Sequence, residues 1–445
     1  MTINLETLSK ITGSELNGNS IEFKSLSIDS RTIQKDETFL CIKGKNFDGH
    51  NFIEQAISAG ASSIIISKDI VTKLPRILIK DAHSFLNRFS EFKRRNFNGK
   101  VVCLTGSNGK TTTKDLIAHI LSSNGSVHKT IGNRNNQIGV PLTLINLDQE
   151  DFSVVEIGTN SPGEISFLSS LVKPDVALIT NAHNSHLMGL KDKDSVAKEK
   201  GDIINSLGKQ GVLVLPKDSK YYEYWKGRSK GIKLVTFGKS ESSDLRVSYI
   251  NQNMRNKRTN FGILLNNEEI VFSINTIGEH NVINAAAALA VTHSLNINIK
   301  EKINYLDNID FPDRRFSLKD SINGGLLIDD SYNSNPESMK KLIDAVSKEK
   351  NVKVLMAGEM LELGDRAEEF HHEICSFASG KVDYFLSIGD MWKEALDGYN
   401  GHGVNFKNQE ELLEYLEGIE LKDPIMLVKG SRSTNMDKLA DKLTL

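Results

Sequence analysis

The segment KVVCLTGSNGKTTTKDLIAHILSS, residues 100–123, decides the fold of this chain. Residues 101–104 are a run of apolar side chains typical of a buried strand, and residues 106–111 form a glycine-containing turn. The apolar residues after the turn recur at the spacing of an amphipathic helix: Leu116, Ile117, Ile120 and Leu121. A strand, a glycine turn and a helix in this order predict a phosphate-binding loop.

The turn offers the groups that a nucleoside triphosphate needs. Glycine lets backbone N–H groups close on a phosphate, and the helix N-terminus adds partial positive charge. Lys110 would reach the outer phosphates, and the Thr111 hydroxyl would contact a magnesium ion. The pattern is shorter than GxxxxGK[ST], since Leu104 stands where its first glycine belongs. A helix cap without a ligand is disfavoured, because threonine is a mediocre residue for the first turn of a helix unless its hydroxyl has a task.

The bulk properties narrow the class of protein. A chain of 445 residues predicts about three domains of ~150 residues each. Lysine and arginine number 55 against 57 acidic residues, which argues against a general nucleic-acid or membrane-surface binder. The three cysteines have neither metal-site spacing nor an even count for disulfides. Without a signal peptide or an apolar run near ~18 residues, a cytoplasmic protein with no membrane or nucleic-acid partner is predicted.

The alternation of strands and helices predicts an α/β fold of three domains: 1–98, 99–311 and 312–445. The first is a small α/β unit, the second a mostly parallel sheet carrying the phosphate loop, and the third a Rossmann-like unit. Further strands are predicted at 152–157, 175–180, 211–215, 326–328, 352–356, 384–388 and 425–428. Helices are predicted at 281–295, 338–350, 368–378, 410–416 and 436–443.

Polar residues follow several of the predicted strands, at the edge where open α/β sheets place ligands. Glu156 ends one strand and could hold magnesium beside the phosphates, although alone it would be an ordinary polar residue. His186 follows another strand in TNAHNSHLMGL, where a structural histidine is the plain alternative. The stretch VAKEKGDII, residues 196–204, is by itself a solvated helix face.

The last third of the chain has three polar loops after strands. LLIDDSYNSNPESM, residues 326–339, is a dense polar turn that could cap a helix or contact a nucleotide or substrate. GEMLELGDRAEEFHH, residues 358–372, and VKGSRSTNM, residues 428–436, follow the next strands. Lys429 and Arg432 make the last loop cationic, which suits a carboxylate or phosphate. Loops at the same edge of one sheet predict a site there.

Together these motifs resemble the Mur ligases, ATP-dependent amide-forming enzymes of peptidoglycan precursor synthesis, over the whole chain. TGSNGKTTTK is similar to the phosphate loop of that family and of folylpolyglutamate synthetases. The stretches at 132–144, 328–339, 358–372 and 428–439 are similar to the branch that joins D-alanyl-D-alanine to a UDP-N-acetylmuramoyl-tripeptide. The resemblance implies that ATP phosphorylates the tripeptide carboxylate and that the dipeptide amine attacks the acyl phosphate. It also implies a small first domain that binds the UDP-linked substrate, Mg²⁺ ions (two), a carbamylated lysine and a monomer.

The resemblance assigns roles residue by residue. Catalytic roles fall on Lys110, Lys200, His186 and Arg315. ATP contacts fall on Gly106, Ser107, Asn108, Gly109, Lys110, Thr111, Thr112, Asn281, Asn284, Arg315 and Asp330. Metal ligands fall on Thr111, Glu156, His186 and the carbamylated lysine, which matches Lys200 with Lys198 as the alternative. Arg314 is likewise the alternative to Arg315 as the arginine that faces ATP.

Substrate contacts follow in the same way. The UDP-linked substrate is expected at Ser27, Asp29, Ser30, Arg31, Asn135, Asn136 and Thr159, with the loop KNFDGHNF, residues 45–52, beside the uridine contact. The dipeptide or the reacting carboxylate is expected at Asn333, Asn335, Lys429 and Arg432. Three stretches depart from the family pattern. Glu359 replaces an aspartate, and the strand at 211–215 leads into LPKDS where the family has Asn-x-Asp-Asp. The stretch TNAHNSH is also slightly irregular.

Three other interpretations are less well supported. A ligase that adds the third amino acid, or a folylpolyglutamate synthetase, would carry a histidine in the turn where this chain has Asn-Ser-Asn at 333–335. A switch-type nucleotide hydrolase would not need two further α/β units with polar loops. A catalytically dead paralogue is disfavoured by intact Lys110, Thr111, Glu156 and Asp330.

Overall fold

Three β-sheets and a two-stranded ribbon organise the described residues. The computed structural model describes residues 3–44, 47–309, 311–322 and 324–445. The predicted α/β class and the parallel character of the sheets are confirmed. The predicted domain limits lie between the last helix of one sheet unit and the first strand of the next, and they stay a prediction.

The first sheet has five strands in the order β2-β7-β6-β5-β4, and β1 pairs with β3 in the ribbon. Its elements are β1 (Ile3–Asn4), α1 (Leu5–Thr12), β2 (Glu15–Asn17), β3 (Glu22–Phe23), β4 (Leu26–Ser27), β5 (Thr38–Leu40), α2 (Ile53–Ser58), β6 (Ser63–Ile66), β7 (Arg76–Leu78) and α3 (Ala82–Arg95). The strands β4 to β7 are parallel to their neighbours, whereas β2 runs antiparallel to β7.

The central sheet has nine strands in the order β16-β15-β14-β13-β12-β11-β8-β10-β9. Its first elements are β8 (Lys100–Thr105), α4 (Lys110–Leu121), β9 (Val127–Lys129), α5 (Gly139–Ile145), β10 (Phe152–Glu156), α6 (Glu164–Val172), β11 (Val176–Ile179), α7 (Leu187–Leu190) and α8 (Lys193–Gly201). Its later elements are β12 (Val212–Pro216), α9 (Tyr222–Arg228), β13 (Lys233–Gly238), β14 (Leu245–Asn253), β15 (Arg258–Leu265), β16 (Glu268–Ile274), α10 (Glu279–Ser294) and α11 (Ile303–Leu306).

The third sheet has six strands in the order β17-β18-β22-β19-β20-β21, with β17 antiparallel at the edge. Its elements are β17 (Ser317–Asp320), β18 (Leu326–Asp330), α12 (Pro336–Val346), β19 (Lys353–Gly358), α13 (Ala367–Ala378), β20 (Tyr384–Ile388), α14 (Asp390–Ala395), β21 (His402–Phe406), α15 (Gln409–Glu417), β22 (Ile425–Lys429) and α16 (Met436–Leu443). The predicted strand at 384–388 and helix at 436–443 have the bounds observed, and the other predictions here are shifted at one or both ends.

Strand β8 is buried on both faces, as its unbroken apolar run predicted. Val101 and Cys103 pack in one hydrophobic cluster with helices α5, α6 and α8, whereas Val102 and Leu104 pack in another with α4 and α10. This alternation follows from the two-residue period of a strand. The parallel strands therefore carry helices on both faces, and their carboxyl ends remain available for a site.

The three antiparallel strands β14 to β16 were not predicted. Asn266 and Asn267 join β15 to β16, and both have positive φ, 52° and 65°. Two such residues in succession are the requirement of a type I′ hairpin, for which asparagine is well suited. The Asn-Asn pair between two apolar stretches was the signal available in the sequence.

Among the described residues, no helix is long and apolar enough to cross a membrane.

Candidate active site

A cleft of about 960 Å³ lies between the central and third sheets. The phosphate loop, the ends of β10 and β11 and the start of α10 line it from the central side. The turn after β18 and the first turns of α12 line it from the other side. The carboxyl ends of strands from two sheets thus meet at one cavity, which is where α/β sheets place their ligands.

The phosphate loop needs glycine at two positions. Gly106 has φ +159° and Gly109 has φ +76°, a left-handed conformation. A Cβ atom at Gly106 would lie 1.8 Å from Thr180 Oγ1, and one at Gly109 would lie 2.4 Å from Asn284 Oδ1. Asn284 therefore packs directly on the loop, and the backbone is held close to the end of β11.

The N–H groups available to an anion are those at the start of α4. Ser107 N donates to Asn181 O at 3.2 Å and Asn108 N donates to Asn181 Oδ1 at 2.9 Å, so these two serve to shape the loop. Helix α4 begins at Lys110, and its first turn has N–H groups without partners inside the helix. These groups and the helix dipole suit a phosphate. Thr112 also lines the cleft here.

Lys110 lies back across its own loop. Its Nζ donates to Gly106 O at 2.8 Å and to Ser107 O at 3.3 Å. Burial lowers its pKa; the carboxylate of Glu156 opposes this shift, and Arg315 adds to it. An anion bound in the loop would relieve both the burial and the repulsion of this cation.

Glu156 is the acidic centre of the central side. This buried carboxylate accepts from Thr111 Oγ1 at 2.9 Å and from Asn135 Nδ2 at 2.7 Å. Carboxylate and hydroxyl oxygens are ligands that Mg²⁺ accepts beside phosphates, so the donor set fits that ion. Asn135 fixes the carboxylate, whereas the Asn136 side chain accepts from Gly139 N at 2.9 Å, at the start of α5.

Lys200 is 1% exposed, so the solvated helix face expected for residues 196–204 is wrong at this position. Its ammonium makes no hydrogen bond or ion pair with the part of the chain that the structure describes. Burial lowers its pKa well below the usual range, Lys110 lowers it further, and Glu199 opposes the shift. Lys198 is exposed, so burial distinguishes the two candidates. Lys200 is not among the residues that line the cleft surface.

Glu199 explains why this helix is buried. Its carboxylate accepts from Gly163 N and Ile165 N, each at 2.8 Å, at the start of α6. Thr159 Oγ1 lies 3.4 Å from the same carboxylate and donates to Ser161 O at 2.8 Å. Thr159 lines the cleft and therefore connects the cleft surface to the buried carboxylate of Glu199.

His186 lies at the junction of the two sheets. Its φ is +54°, and its Nδ1 lies 2.9 Å from Glu362 Oε2 of the third unit. The imidazole holds the pKa of Glu362 below its usual range. Within the described ranges, His, Cys, Asp and Glu form no group of three or more that could hold a metal ion. His186 would therefore need oxygens from a bound nucleotide or substrate to complete a metal site.

The adjacent arginines 314 and 315 have separate surroundings. The Arg315 guanidinium lies 3.8 Å from the centre of the Tyr332 ring and lines the cleft. Arg314, with φ +62°, pairs with Asp437 and, at 3.0 Å, with Asp441 of α16. Arg315 is therefore the arginine placed to meet an anion in the cleft.

Asp330 and Lys429 form an ion pair at the end of β18 and β22. Asp330 Oδ1 accepts from Phe316 N at 3.1 Å, and Lys429 Nζ donates to Asn333 O at 3.0 Å. Burial raises the pKa of Asp330, and Lys429 opposes that shift. The pair holds the polar turn in place, and the Lys429 ammonium already interacts with Asp330 and with the carbonyl of Asn333.

An amide pair joins the two sides of the cleft. Asn335 Nδ2 donates to Asn108 Oδ1 at 2.7 Å, and Asn108 Nδ2 donates back to Asn335 Oδ1 at 3.3 Å. Asn335 also caps α12 in a capping box with Ser338. The third unit therefore contacts the phosphate loop itself.

Three family models match successive parts of the chain: "Mur ligase family, catalytic domain" at residues 22–94, "Mur ligase middle domain" at 104–292, and "Mur ligase, glutamate ligase domain" at 314–432. The chain belongs to the Mur ligase family. The family resemblance and the three-domain α/β prediction are confirmed.

This Mur ligase is similar along its whole length to curated relatives. A relative from Buchnera aphidicola subsp. Acyrthosiphon pisum (strain APS), named UDP-N-acetylmuramoyl-tripeptide–D-alanyl-D-alanine ligase, is 34% identical over 450 residues, covering 100% of this chain and 98% of the relative. One of the same name from Escherichia coli (strain K12) is 32% identical over 449 residues, with the same coverage.

Solved structures have the same architecture as this Mur ligase. A crystal structure of MurF from Acinetobacter baumannii has a TM-score of 0.90 at 28% identity and covers 99% of each chain. The MurF ligase from Thermotoga maritima, solved in complex with ADP, has a TM-score of 0.82 at 26% identity, covering 94% of this chain and 96% of that one.

The first-domain residues of this Mur ligase lie apart from the cleft lining. Arg31 pairs with Asp29 at 2.7 Å and, mainly through this bond, lowers the pKa of Asp29 to about 2. Ser27 Oγ donates to Asp29 O, and Ser30 Oγ donates to Gln55 Oε1. Arg134 of the central unit adds a smaller lowering of the same pKa, so this loop faces the loop that precedes α5.

The neighbouring stretch at 45–52 is described only in part, since Lys45 and Asn46 lie outside the described residues. Asp48 in this stretch pairs with Lys68 and with the imidazole of His50, each at 2.5 Å.

Two predicted nucleotide or dipeptide contacts have mainly structural partners. Asn281 Nδ2 donates to Ile277 O at 3.0 Å at the start of α10, although the residue lines the cleft. Arg432 pairs with Asp437 at 3.0 Å and is not among the cleft-lining residues.

Several cleft residues of this Mur ligase were not singled out from the sequence: Asn181, Lys193, His280, Tyr332, Glu337 and Lys341. His183, the other histidine of the stretch TNAHNSHLMGL, also lines the cleft. The loop LPKDS also lines the cleft, through Pro216, Asp218 and Ser219. Glu359 does not line it and instead accepts from Met391 N at 3.0 Å.

Proposed function

We propose that this Mur ligase uses ATP to join D-alanyl-D-alanine to a UDP-N-acetylmuramoyl-tripeptide in peptidoglycan precursor synthesis. Whole-length similarity to relatives of that name supports the substrates. The observation that carries the proposal is the shared cleft, in which a phosphate loop contacts the Asn-Ser-Asn turn of the third domain through Asn108 and Asn335. A phosphoryl donor bound at the loop and an acceptor bound at the turn would meet at this junction.

The triphosphate lies along the loop and the first turn of α4, with adenine toward Asn281 and Asn284. Lys110 and Arg315 face the outer phosphates, and Asp330 at the end of β18 faces the ribose. Spreading the charge of a transferring phosphoryl group is the main catalytic task, and fixed cations in a closed site do this well. The contact between Asn284 and Gly109 supports this placement.

Thr111 and Glu156 are the residues that would hold Mg²⁺, with His186 the ligand of a second ion. Such ions neutralise phosphate charge and orient oxygens for in-line transfer. Lys200 is proposed as a carbamylated lysine. Carbon dioxide reacts with the unprotonated amine, and the lowered pKa of Lys200 favours that form. Its burial and lack of a partner support the assignment over Lys198.

The phosphoryl group passes from ATP to the terminal carboxylate of the tripeptide, and ADP leaves. The amine of the dipeptide then attacks the acyl carbon, and phosphate leaves as the amide forms. Asn333 and Asn335 face the acceptor, whereas Lys429 holds their turn in place. The UDP-linked substrate extends from Asn135 and Thr159 toward the first-domain loop at 27–31.

The enzyme is proposed to act as a monomer in a reducing cytoplasm. Its nucleotide-linked substrates and its three unpaired, buried cysteines are consistent with that compartment.

The proposed reaction is tested by phosphate release and by oxygen tracing. Release should require ATP, a UDP-tripeptide and D-alanyl-D-alanine together. A tripeptide labelled with ¹⁸O in its terminal carboxylate should transfer one labelled oxygen to the phosphate released. Running lysine- and diaminopimelate-containing tripeptides in parallel identifies the third residue. Product formation with unlabelled phosphate would contradict an acyl phosphate.

Arg315→Ala should lower kcat/KM for ATP about a hundredfold, whereas Arg314→Ala should leave it near wild type. The reason is that Arg315 lines the cleft and Arg314 pairs with α16. Arg314→Ala should instead lower the thermal unfolding temperature, because Asp437 and Asp441 lose a partner. Steady-state kinetics and thermal unfolding of both variants check this. Equal kinetic losses would remove the distinction between the two arginines.

A further inference from the structure

Helix α12 presents one acidic and one basic side chain to the cleft. Glu337 lies in its first turn and Lys341 one turn later, and both line the cavity. Glutamate four residues before lysine is the favourable spacing for an ion pair on a helix. Among the described residues, however, Glu337 lies near Lys193, at 4.0 Å, and Lys341 has no ion-pair partner.

Glu337 has an unused acceptor. Its Oε1 accepts from Asn184 N at 3.2 Å. Its Oε2 is buried and has no hydrogen-bond partner among the described residues. A buried carboxylate oxygen without a donor is costly, so a donor on a ligand would be bound favourably.

Lys341 places its positive charge close to the interior of the cleft. Burial lowers the pKa of His280 to about 3, and the charges of Lys341 and Lys429 add to that shift. Burial also lowers the pKa of His183 to about 4, with smaller contributions from Lys193, Lys341 and Lys200. Both imidazoles are therefore neutral near pH 7, and neither competes with Lys341 for an anion.

The other cations on the third-domain side of the cleft already have interaction partners. Lys429 is engaged by Asp330 and by the carbonyl of Asn333. Arg315 lies over Tyr332, and its charge reaches Lys110 at the phosphate loop. Among the described residues that line this side, Lys341 is the cation that remains for a carboxylate away from the phosphates.

The spacing matches a dipeptide. Two extended residues span at most about 7 Å, and residues four apart on a helix have Cβ atoms about 6 Å apart. We propose that Glu337 binds the amino group and Lys341 the carboxylate of the acceptor dipeptide, so that α12 positions both ends of D-alanyl-D-alanine. This inference rests on the proposed function and names the residues that select its acceptor.

The test compares D-alanyl-D-alanine with D-alanyl-D-alaninamide, which has no terminal carboxylate. The wild type should prefer the free acid about tenfold in kcat/KM, the value of one charge-assisted contact. In Lys341→Ala the two acceptors should be used equally, through a rise in KM for the acid. Lys340→Ala is the matched control, because Lys340 lies on the same helix but pairs with Glu373 of α13 and does not line the cleft.

Glu337→Gln keeps the size of the side chain and removes its charge. It should raise KM for both acceptors about tenfold and leave KM for ATP unchanged. A Lys341→Ala enzyme that keeps the wild-type preference, or a Glu337→Gln enzyme with unchanged acceptor KM, overturns the inference while the proposed reaction stands. A wild type that forms no amide with either acceptor overturns the proposed function itself.

Discussion

Lys110→Ala should abolish ATP turnover, with phosphate release at least about a thousandfold below wild type. Lys110 is the cation at the start of α4, and its ammonium lies on the carbonyls of Gly106 and Ser107. A phosphate that enters the loop replaces those contacts with stronger, charge-assisted ones. Charge on the transferring group then has no other cation within this loop to stabilise it.

The measurement is phosphate release with all three substrates saturating, together with thermal unfolding to show that the variant is folded. Lys129→Ala is the control, because Lys129 makes an exposed pair with Asp115 at 2.7 Å behind the same helix. The control should keep wild-type turnover, since exposed pairs contribute little. A folded Lys110→Ala enzyme with a tenth of the normal rate would mean that the loop does not hold the reacting phosphate.

The phosphate loop could be predicted from the sequence because its information is local. The apolar run at 101–104 fixes a buried strand, and positive φ at Gly106 and Gly109 fixes the turn. Thr111 and Glu156 could be paired because the parallel strands β8 and β10 are neighbours and end at the same edge. Position along the sheet was enough to bring them together.

Burial of charged side chains could not be predicted in this way. The charged stretch at 196–204 predicts a solvated helix. In the structure, however, the Glu199 carboxylate accepts from the N-terminus of α6, and Lys200 lies in the interior. Both facts depend on contacts with distant segments. The same holds for α12, where Glu337 and Lys341 look like ordinary surface charges until the central domain is placed opposite them.

Lys200→Ala should lower the ligation rate about a hundredfold, and short-chain carboxylic acids such as formate or acetate should partly restore it. The lysine is 1% exposed, and burial lowers its pKa well below the usual range, which favours the free amine. A free amine adds to carbon dioxide, forming an N–C bond and releasing one proton. The product is an anion at a place where an ammonium is disfavoured by burial and by Lys110.

The modification itself is detected by ¹³C NMR of the enzyme equilibrated with ¹³C-bicarbonate. The wild type and Lys198→Ala should show one protein carbamate near pH 7, and Lys200→Ala should show none, because Lys198 is exposed. Because the lowered pKa favours the amine, the signal should persist well below pH 10 and decline as acid protonates the lysine. A carbamate that survives in Lys200→Ala but not in Lys198→Ala would move the role to Lys198. A wild-type rate in Lys200→Ala, with no carbamate in any variant, would show that the buried lysine acts only by its charge or packing.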